Sequence, residues 1–132
     1  MDDMICYLNT DLDLTSGMDL APLVSALEAA GVEPLHCARH EDGQWYAICE
    51  TARQFSEPES NVAAIIAAVE SLPAEAQALW SDCTRRELNI GFDCGAKPWA
   101  FNEALSNDII GKIAFVGASL RITLYPPPPE QG

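Results

Sequence analysis

Residues 34–51 read PLHCARHEDGQWYAICET, two strand-like runs, Pro34–His40 and Trp45–Thr51, joined through Glu41-Asp42-Gly43-Gln44. Asp-Gly supplies the residue types a tight hairpin turn needs, since glycine enters the positive-φ region at no steric cost. The two runs are therefore expected to pair antiparallel. Two strands in succession break the strand-helix alternation of a parallel doubly wound sheet, and this decides the class as α+β.

On the N-terminal side of the hairpin, Leu20, Leu23, Val24 and Leu27 recur at helical spacing, with Asp19 placed as an N-cap and Gly31 as a stop. Before them, Met4–Leu8 has strand-type residues and runs into Asn9–Leu14, which alternates polar and apolar, so a strand is expected that extends toward Leu14 as an edge. On the C-terminal side, Ser56 and Glu59 form an S-x-x-E capping-box pattern ahead of Val62, Ile65, Ile66 and Val69, with Pro58 in the first turn. Pro73 restarts a helix through Ala76, Leu79, Trp80 and Cys83, giving two helices that meet at Leu72-Pro73. Glu87–Asp93 alternates with period two and sets Leu88, Ile90 and Phe92 on one face. Residues 94–104 read as a loop, and Ser106 is placed to cap a helix bearing Ile109, Ile110, Ile113 and Val116. Ser119–Tyr125 closes the pattern, with Leu120, Ile122 and Leu124 expected to face the core before Pro126–Pro129 stop the strand. The order β-α-β-β-α-α-β-α-β predicts a mostly antiparallel sheet of about five strands with helices packed on one face. Residues 1–125 are expected to form a single globular domain and 126–132 a Pro-rich flexible tail.

A chain of 132 residues, 48% hydrophobic throughout its length, is large enough for one core. Its longest apolar stretches, Val62–Val69 and Ile109–Val116, fall far short of the roughly 20 residues of a membrane span. The start Met1-Asp2-Asp3-Met4 puts acid where a secretory signal carries Lys or Arg, so no membrane association and a cytoplasmic location are expected. Five cysteines, an odd number, suggest reduced and mostly buried thiols rather than a disulfide framework. Twenty Asp and Glu against seven Lys and Arg leave a net charge of −13, which excludes nucleic acid as a direct ligand. Such charge serves solubility, or steers a basic partner into place.

The local patterns exclude more chemistry than they suggest. Asn9-x-Asp11-x-Asp13-x-Thr15 opens like a calcium loop but has Leu14 where glycine should turn the chain and Leu20 where a bidentate Glu should close it. His36, Cys37 and His40 could suggest zinc, yet on a strand His36 and His40 share a face and Cys37 points to the other. No metal or cofactor is therefore expected. Phosphate-binding glycine loops and the G-x-S-x-G elbow are missing, and no catalytic residue can be nominated from a motif. Cys94, in a loop after a strand, is the one candidate nucleophile, and it would need a histidine beside it. Trp45 and Trp80 fall on predicted core faces. Trp99, within Lys97-Pro98-Trp99-Ala100-Phe101, is expected to plug the sheet end, with anchoring of a partner as the competing role.

The helix start Leu105-Ser106-Asn107-Asp108-Ile109 and the closing strand Leu120-Arg121-Ile122-Thr123-Leu124-Tyr125 resemble bacterial families of unknown function, some of them suspected immunity proteins of polymorphic toxin systems. The resemblance spans roughly residues 60–126. It implies an α+β fold and a partner-binding, non-enzymatic role, and it transfers no functional residue. The leading expectation is an acidic protein-binding module, such as an immunity or inhibitor protein, that covers a basic site on a protein partner. Asp11, Asp13, Glu57, Glu59 and Trp99 are its candidate contact residues. The alternatives are a small enzyme or small-molecule binder with a pocket near Cys94–Phe101, and a homo-oligomeric subunit in which an edge strand pairs with its copy. The chain itself is expected to be a monomer or a homodimer.

Overall fold

The computed structural model describes residues 3–127; the expected flexible tail lies for the most part outside them. The elements are β1 (Cys6–Ser16), α1 (Ala21–Ala29), β2 (Val32–Arg39), β3 (Trp45–Thr51), α2 (Pro58–Glu70), α3 (Ala74–Asp82), β4 (Arg85–Asp93), α4 (Asn107–Phe115) and β5 (Ser119–Tyr125). The strands form one five-stranded sheet in the order β2-β3-β1-β4-β5. β1 pairs antiparallel with β3 and β4, β2 pairs antiparallel with β3, and β4 pairs parallel with β5. The fold is the expected α+β class with a mixed, mostly antiparallel sheet.

β1 is the central strand and not an edge. Leu12 and Leu14 are almost wholly buried beneath the helices, and their neighbours across the sheet, Ala47 and Cys49 on β3 and Leu88 on β4, are buried with them. Leu23 and Leu27 of α1, Val62, Ile65, Ile66 and Val69 of α2, Trp80 of α3, and Ile109 and Ile113 of α4 fill the same core. α2 and α3 meet at a bend of 117°. Gly43 takes φ +82° in the hairpin, while the Asp42 carboxylate accepts from the Gln44 N–H and holds the turn. Ser106 accepts from the Ile109 N–H and caps α4, as expected, whereas the N-cap of α1 is Leu20 without a side-chain bond, and Asp19, the expected cap, stands one residue earlier and accepts from the Ala21 N–H.

Three further expectations fail because local sequence pattern does not show what lies nearby in space. Ser56 does not cap α2; Glu57 is the N-cap residue without a side-chain bond, and Glu59 reaches across to accept from the Ser106 N–H at 2.6 Å. Leu120, Ile122 and Leu124 do turn to the helical side, since each pairs with core-facing Leu88, Ile90 or Phe92, but β5 is an edge strand that the helices do not fully cover. They stay 43%, 60% and 60% exposed. Trp99 plugs nothing, because its side chain is 99% exposed.

Candidate functional site

With Leu12 and Leu14 under the helices, the alternation of β1 sends Asp11 and Asp13 to the opposite, helix-free face. Register completes the site. Asp11 lies between Glu50 of β3 and Asn89 of β4, and Asp13 lies between Ile48 and Glu87. Four carboxylates from three adjacent strands thus share one surface, and Glu50 and Glu87 are members that sequence reading missed. Only the cross-strand register brings them in.

The four are not equivalent. Glu87 accepts from Arg85 and from Arg121, each at 2.5 Å, and these guanidiniums hold its carboxyl below the usual range. Asp13 has Arg85 at 3.5 Å, yet burial still leaves it raised. Asp11 and Glu50 have no ion pair among the described residues; the Asn9 amide bridges them, at 2.9 Å to Asp11 and 3.3 Å to Glu50. Burial first, then the charges of Asp13 and Glu50, push Asp11 up to about 6. Asp11 and Glu50 thus form an uncompensated pair of carboxylates at the centre of an open sheet face.

That arrangement has a measurable cost to the fold. A carboxyl whose folded-state pKa exceeds its unfolded value destabilises the fold where both states are ionised, and the loss is recovered as pH falls through the folded pKa. For Asp11 the penalty is full above about 6 and gone by the ordinary value of 3.8. Asp11→Asn, which keeps an acceptor for Asn9, is expected to stabilise the protein at pH 7.5 by about 1 kcal/mol, a figure reduced for the group's partial exposure. The advantage should vanish near pH 4, and urea unfolding at the two pH values reads both arms.

The other candidate residues lie elsewhere. Glu57 and Glu59 stand at the start of α2, on the helical side of the sheet, and Glu59 is engaged with α4. Trp99 occupies the loop after β4, which the N-terminal segment anchors: the Lys97 N–H donates to Asp3 O and the Ile5 N–H to Lys97 O. Gly95 permits that approach, because a Cβ there would stand 2.3 Å from the Asp3 carbonyl oxygen. The five candidates therefore do not form one surface; Asp11 and Asp13 do.

A concavity of about 300 Å³ lies near Cys94 and Phe101, walled by Ile5, Phe92, Glu103, Ile122 and Leu124. It contains no histidine. His36 and His40 belong to the β2 end of the sheet, at the edge opposite β5, so Cys94 has no imidazole partner. The two histidines meet each other instead, Nε2 to Nε2 at 2.9 Å, on the hairpin surface. Cys49 and Cys83 are buried, which pushes their thiols up to about 12 and about 11, whereas Cys6 is exposed and Cys37 and Cys94 are half-buried. The residues of the calcium-like pattern lie within strand β1, without the loop that would wrap a cation. Among the described residues no group of three or more His, Cys, Asp and Glu is arranged to hold a metal, and no single helix is long and apolar enough to cross a membrane. In comparisons with known proteins, no family model, no curated protein and no solved structure matches this chain.

Proposed function

We propose that this chain is a protein-binding module that receives a basic segment of a partner protein on the helix-free face of its sheet, as an immunity or inhibitor protein covers a basic site. The observation that carries the reading is the uncompensated carboxylate pair Asp11 and Glu50 at the centre of that face, flanked by Asp13. An arriving guanidinium or ammonium relieves the repulsion that raises Asp11, so binding gains from the strain it removes. The −13 net charge draws a basic partner from a distance and is screened by salt. Trp99, fully exposed in the loop beyond β4, is a candidate apolar anchor separate from the carboxylates.

The test is affinity capture of the tagged chain from its host at low and high salt, followed by titration of the captured partner. A basic protein is expected that associates more slowly as salt rises, and Asp11→Asn combined with Glu50→Gln should weaken it on the order of a hundredfold. Both substitutions leave the core untouched, so lost binding cannot be ascribed to lost folding. A partner indifferent to salt and to the double substitution refutes the acidic face as the contact surface. Weakening by Trp99→Ala alone would move the contact to the loop.

A further inference from the structure

The two edges of the sheet are built differently. β2, at one edge, carries Pro34 and a register shift between Pro34 and His36, both devices that blunt an edge against further pairing. β5, at the other, pairs with β4 in unbroken register from Ser119 to Tyr125 and contains no proline. Its apolar row, Leu120, Ile122 and Leu124, is the part of the helical face left uncovered.

Charge marks the same place. Acids are spread through the chain, yet residues 109–129 contain none, and their only charged side chains are Lys112 and Arg121. On a molecule of net charge −13 this strand brings no carboxylate of its own to an approaching copy; of its acidic neighbours, Glu87 is neutralised by Arg121, and Glu103 stands beside Ile122 and Leu124.

We infer that β5 pairs antiparallel with β5 of a second copy, about a twofold axis through Ile122, joining two five-stranded sheets into one. Main-chain geometry selects that register. The Tyr125 carbonyl accepts from the Cys94 N–H and so points inward toward β4. Alternation along a regular strand then directs the N–H and C=O groups of Leu120, Ile122 and Leu124 outward. With Ile122 on the axis, Ile122 faces its own copy, Leu120 faces Leu124 of the second copy, and the outward donors and acceptors meet as hydrogen-bonded pairs. The same register sets leucine against leucine and isoleucine against isoleucine on the helical side. On the open side Arg121 lies opposite Thr123 of the second copy, so no like charges stand directly across from one another. A shift by one residue would set outward groups against inward ones and lose the pairing. The contact leaves the carboxylates of β1 and β3 free, so it does not depend on the partner-binding reading above.

The experiment is sedimentation equilibrium of the full chain over a range of concentrations, with amide exchange measured in parallel. The wild type is expected to dimerise, with the amides of Leu120, Ile122 and Leu124 gaining protection as concentration rises. Ile122→Lys sets two ammonium groups across the axis and should raise the dissociation constant on the order of a hundredfold. Because Ile122 is 60% exposed, the thermal unfolding of the monomer should hardly change. Ile122→Cys should form an oxidised cross-link between copies, whereas Leu120→Cys, displaced from the axis, should not. A monomer at every concentration overturns the proposal. So does edge protection independent of concentration, which would mean that the chain covers its own edge, and so does a dimer indifferent to Ile122→Lys.

Discussion

Asn61→Ala is expected to cost about 3 kcal/mol of folding stability, although the side chain removed is polar and small. Asn61 sits on α2 at 2% exposure, and its side chain makes three hydrogen bonds to residues of the sheet. Its carbonyl oxygen accepts from the Tyr7 hydroxyl at 2.6 Å and from the Thr10 main-chain N–H at 3.1 Å, while its amide donates to Thr51 Oγ1 at 2.9 Å. The need arises in β1. Its pairing with β3 begins only at Asp11 and Glu50, so fully buried Thr10 lies just beyond that ladder, although it still pairs with Ile90 of β4. The helix supplies the acceptor that β3 does not. Alanine leaves the Thr10 N–H buried and unpaired, and that penalty outweighs the net value of any one hydrogen bond. Urea unfolding should show a lower midpoint at an unchanged slope. A loss below about 1 kcal/mol would mean that water enters and replaces the amide.

This network also illustrates what sequence could reveal. The hairpin was legible because Asp42-Gly43 encodes its turn locally, and the α4 start because Ser106 bonds three residues along its own chain. The period-two pattern of Leu88, Ile90 and Phe92 fixed a strand and its buried face. Long-range partners were not legible. Glu59 has the spacing of a capping box, but its carboxylate bonds to Ser106, 47 positions away. The alternation of β5 gave the correct side for Leu120, Ile122 and Leu124, but burial depends on how far the helices extend over the edge strand, and they leave these side chains exposed. The candidate site divides in the same way. Asp11 and Asp13 share a face by strand period alone, whereas Glu50 and Glu87 join them only through registers with strands more than thirty residues away in the chain.

Arg86→Leu is the second substitution expected to cost more than its surroundings suggest, about 2–3 kcal/mol. α3 has no basic residue in its last turn and ends at Cys83 in an extended conformation, so its final carbonyls have few local donors. The Arg86 guanidinium supplies them from β4. Its Nη1 donates to the carbonyls of Trp80, Ser81 and Cys83 at 3.1, 3.2 and 2.9 Å, and its Nε donates to the Gly117 carbonyl at 2.9 Å, just past the end of α4. A single cation therefore sits against the negative ends of two helices, where the dipoles favour it. Trp80 ties the same ends together, lying beneath the guanidinium and donating its indole N–H to the Val116 carbonyl. Leucine keeps much of the bulk and loses every donor. Lysine keeps the charge but lacks the planar fork that reaches several carbonyls at once, so Arg86→Lys should recover less than half of the loss. Amide exchange should show where the cost falls. The last turns of α3 and α4 should open more readily in Arg86→Leu while the β1–β3 ladder stays protected, and uniform loss of protection would mean that Arg86 supports the whole core rather than the two helix ends.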